Sequence, residues 1–384
     1  MKSFIQLCLV VAVCAATFAQ SSPEQTTNAA SAPTAFVYVS AQAGIYAFSA
    51  APNGKLTPVA GSPFKGQLTR MAVNGKYLFG ADSNFINIYS YSIAANGALK
   101  QVSSINAAKF TCLNSGQALD VFLDHTGSDL YALSYLNDCA NNAYQFFRVN
   151  KSTGQLTYFG VTSAASPQFE TGLTITANNE FGYGASWYHF NPEIYGFQRA
   201  SNGDLTFLNF NFPLPAAKPG STYFPYLAAA DPTNHVAVSL QPFTNNQPSL
   251  QFTGPTQLAT YTVASSGMLS TSSTYANMPA VAVGNIWDVN YLKMAPSGKL
   301  LAVAGAKGLQ VFHYNGASPI TKFTGLLTKS PINQCFWDNA NHLYAISVSA
   351  GKMFVFTVTT TSATQAPGSP YSIASPRNII VQPK

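Results

Sequence analysis

Charge is what this sequence has least of. Asp, Glu, Lys and Arg make up 8% of its 384 residues, against roughly 25% in an ordinary globular chain. No basic run is present to neutralise a phosphate backbone, so nucleic acid is excluded as a partner. The polar surface must instead come from Ser, Thr, Asn and Gln. The five histidines and five cysteines follow no zinc spacing, and no Asp-rich loop suits calcium. A Gly-rich phosphate loop and a Gly-x-Ser-x-Gly elbow are also missing. No cofactor or metal is therefore expected. After residue 19, no stretch is long and apolar enough to span a bilayer core of about 30 Å.

What is present begins with a leader-like segment. Lys2 precedes a short apolar run over residues 4–16, and Thr-Phe-Ala at 17–19 ends in a small residue. This pattern predicts a cleavable signal over 1–19 and export to a periplasm or the extracellular space. Residues 20–34, rich in Ser, Thr, Ala, Asn and Gln, read as a flexible linker. Residues 35–384 then form one domain, expected to be a monomer. Past the leader, Cys112, Cys139 and Cys335 remain. An exported chain can keep a disulfide. Cys112 enters one repeat and Cys139 sits in a loop on the same face, so these two are expected to pair. Such a bridge is worth about 3.6 kcal/mol in chain entropy. Cys335, beside Phe336 and Trp337, is expected to be a buried free thiol.

One unit recurs along the chain: an alternating aromatic strand, a turn with glycine, then Leu-Thr or a relative. It reads Ile-Tyr-Ala-Phe-Ser before Asn53-Gly54, and Ile-Tyr-Ser-Tyr-Ser before Asn96-Gly97. It returns before Gly154, Asn202-Gly203, Ser266-Gly267 and Gly316, and without glycine at 353–358. Alternation suits half-buried strands, and Asn-Gly or Ser-Gly supplies positive φ at the turn. A second strand–turn–strand unit lies between the copies, as in Met-Ala-Val-Asn-Gly-Lys-Tyr-Leu at 71–78. Two hairpins per repeat make a four-stranded blade of roughly fifty residues. Residues 34–39 match only the second strand of the unit, and 378–383 only the first. The ends should therefore share a blade. The fold predicted is all-β, a seven-bladed β-propeller of four-stranded antiparallel blades closed by its termini.

The Ile-Tyr-Ala-Phe-Ser-Ala-Ala-Pro-Asn-Gly-Lys-Leu-Thr-Pro-Val-Ala-Gly-Ser-Pro-Phe run at 45–64, preceded by Phe-Val-Tyr-Val at 36–39, resembles the seven-bladed lactonase-like propellers. That family includes 6-phosphogluconolactonase-type enzymes and cycloisomerases. The resemblance implies the fold and a lactonase or cycloisomerase activity. Two family features are missing here: a Pro-His dipeptide before an inner strand, and Asn-Glu after the Tyr-Val strand, where Ser40-Ala41-Gln42 stands instead. No catalytic residue carries over.

Loops that enter the inner strands share a face with the loops joining second and third strands, and propellers bind ligands there. Arg70, Asp120, Glu170, Tyr226, Asp288, Gln334 and Arg377 fall at or just before inner strands. They form a candidate channel-mouth ring for a small polar or anionic ligand, or they pair with one another. The fourth blade adds Trp187, Tyr188, His189 and Glu193 in an expected loop. Glu170, His189 and Arg70 are the candidate base and oxyanion groups of a hydrolase. His235 and His342 occupy matching turns on the opposite face and read as structural. The insertion at 241–257 is expected to be a polar loop with aromatics, open to a partner or glycan. Three functions remain open. The protein is a binding propeller for a small ligand, glycan or protein, a lactone hydrolase or cycloisomerase, or a cell-surface scaffold.

Overall fold

Period-two alternation pairs these strands as the repeats require. A computed structural model describes residues 32–82, 86–110, 117–135, 142–163, 171–188, 191–209, 211–246 and 249–384. Ala32–Lys384 is one compact unit. Seven antiparallel sheets follow one another, each with a four-strand path. From blade two to blade seven the inner strands are Arg70–Val73, Gln117–Leu123, Thr174–Ile175, Thr222–Ala230, Val289–Met294 and Gln334–Trp337. Blade one takes its inner strand from the end of the chain. Pro376–Pro383 pairs with Ala35–Ala41, Tyr38 opposite Ile380, which is the closure expected from the half-repeats. It hides two edges that would otherwise be open to pairing. None of the described helices is long and apolar enough to cross a membrane.

Adjacent blades are latched by one recurring contact. Tyr38, Tyr131 and Tyr183 sit on second strands and are fully buried. Each donates its hydroxyl to the carbonyl of the turn glycine in the next blade: Gly97 at 3.0 Å, Gly203 at 2.6 Å and Gly267 at 2.6 Å. Burial pushes all three phenols well above their ordinary range. Gly267 shows why the residue must be glycine. Its φ is +80°, and a Cβ there would stand 2.5 Å from the Phe181 ring. The Asn-Gly and Ser-Gly signals thus serve the turn and the blade interface together. Tyr183→Phe should cost about 1–2 kcal/mol, because it leaves a buried carbonyl unpaired. Equilibrium urea unfolding measures this, and an unchanged midpoint would refute the latch.

The turns between first and second strands carry the histidines, as expected. Asp338 accepts the His342 backbone N–H at 2.8 Å, the His342 ring at 2.7 Å and the Tyr344 hydroxyl at 2.8 Å. Thr34 reaches the same carboxylate from blade one at 3.3 Å. Burial alone would raise Asp338, but these bonds hold its carboxyl below the usual range. Asp231 and His235 repeat the turn more openly, at 3.4 Å.

Two expected loops are strands. Trp187 and Tyr188 end the strand Phe181–Tyr188, and Glu193 lies within Asn191–Arg199. Ser186 pairs with Glu193 and Trp187 with Pro192, so these residues belong to the sheet itself. The blade-five insertion is also a hairpin. Its second strand runs on as His235–Asn246, and Ser249–Phe252 pairs back onto it with Phe243 opposite Phe252. This cross-strand aromatic pair favours the sheet over the loop that the polar composition suggests. Cys335 is buried and free, and burial pushes its thiol up to about 12. Cys112 and Cys139 lie outside the described residues.

Candidate functional site: the central channel

The inner strands surround a channel of about 680 Å³, within the usual size of ligand pockets. At its heart is Asp120, on the inner strand of blade three. One carboxylate oxygen accepts the Val121 N–H at 2.9 Å. The other lies against Gly172 of blade four, where a Cβ would overlap it. Glycine at 172 is what lets the carboxylate into the channel. Arg70 comes from blade two, with Nη1 donating to the Thr69 carbonyl at 2.8 Å. Lys293 and Tyr291 come from blade six, Gln334 from blade seven, and all line the channel.

The electrostatics are those of groups withdrawn from water. Enclosure raises the Asp120 carboxyl above its ordinary value, and the charges of Arg70 and Lys293 only partly offset this. Enclosure likewise lowers the Lys293 ammonium, with Asp120 pulling the other way. The ammonium sits 4.6 Å from the centre of the Phe336 ring, a cation–π contact. Tyr291 is raised by burial and then by the charge of Asp120, and its hydroxyl is bonded by Gln334. Gln334 Oε1 accepts the Ile379 N–H at 2.8 Å, which fixes the direction of the amide. One negative group, two positive groups, a phenol and an amide thus converge from blades two, three, six and seven. Such a set can hold hydroxyl and carboxylate groups together. It can also take up and return a proton at Asp120.

The anticipated ring is only partly assembled. Arg70, Asp120 and Gln334 meet in the channel. Tyr226 lies on the blade-five inner strand and packs edge-on to Trp287 at 5.6 Å. Asp288 turns back on its own chain and accepts the Asn285 N–H at 3.1 Å. Arg377 is exposed, and its neighbour Asn378 lines the channel instead. Glu193, its carboxyl raised by burial, lines a separate cleft with Phe212 and Leu214. Glu170, His189 and the Trp187 side chain lie outside the described residues. Sequence reasoning missed Tyr291, Lys293 and Gly172. The first two belong to the inner strand Val289–Met294, and a lysine on an innermost strand was the available signal. Among the described residues, no group of three or more His, Cys, Asp or Glu could hold a metal ion.

The fold and channel define a seven-bladed propeller with a polar central cavity. No protein-family model matches the chain, and no curated protein matches it. Several of its structural neighbours are 6-phosphogluconolactonase-like seven-bladed β-propellers. A periplasmic gluconolactonase of Pseudomonas aeruginosa superposes with a TM-score of 0.61 at 13% identity, over 91% of this chain and 99% of that one. A protein from Lactobacillus plantarum gives 0.64 at 12%, over 91% and 99%. A candidate 6-phosphogluconolactonase from Bacteroides fragilis gives 0.62 at 12%, over 91% and 98%. At such identities the likeness is one of fold.

Proposed function

We propose that the protein is an exported propeller that binds a small, polar, hydroxylated ligand in its central channel. The observation that carries this reading is the convergence on Asp120 of Arg70, Lys293, Tyr291 and Gln334, in a cavity of ligand size. Opposite charges and neutral donors at one place suit a molecule that presents hydroxyls beside a carboxylate or carbonyl. Export is inferred from the leader-like residues 1–19, and the Cys112–Cys139 bridge belongs to the same reading.

A second reading is lactone hydrolysis. It is favoured by the raised carboxyl of Asp120 beside Arg70: a base poised upward to activate water, and a cation for the developing oxyanion. The gluconolactonase among the structural neighbours makes sugar lactones the first substrates to try. Calorimetry of the protein lacking residues 1–19 with aldonic acids, combined with proton release from a panel of sugar and aromatic lactones, separates the two. Binding without turnover supports the first reading. Saturable turnover lost in Asp120→Asn would replace it with the second. Neither binding nor turnover would sink both.

A further inference from the structure

Lys293 is the only charged residue of the inner strand Val289–Met294. Period-two alternation puts its side chain on the same side as that of Tyr291. Blade seven fixes both. Trp337 Nε1 donates to the Lys293 carbonyl at 3.0 Å, which pins the strand at this residue. The neighbouring Phe336 ring has Tyr291 at 5.5 Å between centroids and the Lys293 ammonium at 4.6 Å. A phenol and an amine thus flank one held ring, and both line the channel. Lys293 is half-buried, so its amine is within reach of a molecule in the cavity.

An enclosed ammonium is ordinarily paired. Among the described residues, Lys293 Nζ makes no hydrogen bond and no ion pair, and the Phe336 ring is its contact. The ionisable groups whose fields reach it are Asp120 of blade three and the Cys335 thiol of blade seven. The attraction of Asp120 does not make up for the enclosure, so the ammonium gives up its proton more readily than a surface lysine does. A desolvated lysine amine is a nucleophile toward carbonyl carbon. Passing one proton from the ammonium to Asp120 yields the free amine and a carboxylic acid together. The amine lone pair then forms the C–N bond, the carbonyl π pair moves to oxygen, and a proton passes from nitrogen to that oxygen. Return of the Asp120 proton lets the oxygen leave as water while the nitrogen lone pair makes C=N. The products are a protonated imine, the Asp120 carboxylate as its counter-charge, and one water. No oxidant or reductant is needed. The Tyr291 hydroxyl and the Gln334 amide, beside the amine, suit hydroxyls on the same ligand.

We propose that Lys293 is a covalent site for a small hydroxylated aldehyde or ketone, which it holds in the channel as an imine. This rests on reading the channel as a ligand site. The test is reductive trapping. The purified protein is incubated at pH 7 with glyceraldehyde, erythrose or dihydroxyacetone and sodium cyanoborohydride, and the modified peptides are mapped by mass spectrometry. The exposed Lys55 serves as the internal reference, and Lys293→Met is run beside the wild type. With at least one of the three compounds, an adduct is expected on Lys293 that saturates with carbonyl concentration. It should form about tenfold or more faster than the adduct on Lys55. That advantage should shrink from pH 7 to pH 9, where surface amines lose their protons too. Lys293→Met should lack the saturable adduct and keep the one on Lys55. Labelling of Lys293 no faster than that of Lys55, or no adduct on Lys293 with any of the three, overturns the proposal, and the wild type alone decides this if the variant does not fold. Calorimetry with aldonic acids, which carry no aldehyde or ketone, separates the two failures. Binding of an aldonic acid without trapping leaves the channel reading standing while the covalent site falls, and neither binding nor trapping removes both.

Discussion

Replacing Arg199 with Met is expected to lower the unfolding free energy by about 3–5 kcal/mol at neutral pH, the usual result of stripping one partner from a buried ion cluster. Arg199 belongs to blade four, and its side chain is 8% exposed. Nη2 reaches Asp124 at 3.2 Å and also meets Asp129, while Nε donates to the Tyr131 hydroxyl at 2.9 Å. All three partners belong to blade three, and both carboxylates are essentially fully buried. Arg148 holds the other oxygen of Asp129 at 2.8 Å, but it is far more exposed. Without Arg199, two buried carboxylates face each other with one half-wet cation between them. Lysine would not rescue the site, because a point charge cannot serve three partners as a guanidinium fork does.

The sign of the pH dependence follows from the two carboxyls. Burial would raise Asp124, yet bonds from Thr126, the Asp129 N–H, Asn179 and the Ser128 N–H hold it below the ordinary value. Its contribution is present above the unfolded carboxylate pKa and is lost as pH falls through the folded one. Asp129 is raised, mainly by burial, so it takes up its proton earlier than an ordinary carboxylate as pH falls. In the variant both carboxyls lose a cation, and both can relieve the loss by taking up protons. The deficit should therefore shrink as pH falls toward about 4. Urea unfolding at both pH values measures it. A deficit under about 1 kcal/mol at neutral pH would mean that the cluster is screened as a surface pair would be.

The fold was legible because its signals are local and repeated. Asn53-Gly54 and Asn202-Gly203 mark turns by backbone chemistry alone, and residues 34–39 and 378–383 are complementary half-repeats that only a closed ring employs. The channel was less legible, because a one-residue change in register turns a side chain to the other face. Arg377 and Asn378 show this: the charged residue attracts attention, and the amide beside it faces the cavity. Asp288 was placed at the channel mouth but is claimed by its own turn, where its carboxylate accepts the Asn285 N–H. Lys293 was hidden for a different reason. Strand alternation says that it points away from Leu292, but not that this direction is the axis of a ring. That information lies in the packing of seven blades and in no single strand.

Asp120→Asn is expected to separate stability from function. Desolvation outweighs the attraction of Arg70 and Lys293 at this carboxyl, so ionisation costs more in the folded protein than in the unfolded chain. Between the unfolded value of about 3.9 and the raised folded value, the native state holds a proton that the unfolded chain has released. Stability therefore falls as pH rises through that window. Asparagine keeps the shape and cannot ionise, so the variant should be more stable above the window, by about 0.5–2 kcal/mol, as is common when a strained site is relaxed. Its ligand affinity should fall about 10- to 100-fold, the cost of losing a hydrogen bond to a charged acceptor. Lys293→Met should behave in parallel, since its ammonium is also disfavoured by enclosure. A melting temperature raised together with weakened binding of the channel ligand would mark Asp120 as a group held against its own solvation for the sake of recognition. A variant that loses stability while its binding stays intact would assign the carboxylate to the fold, as a counter-charge that keeps Arg70 and Lys293 together inside the ring.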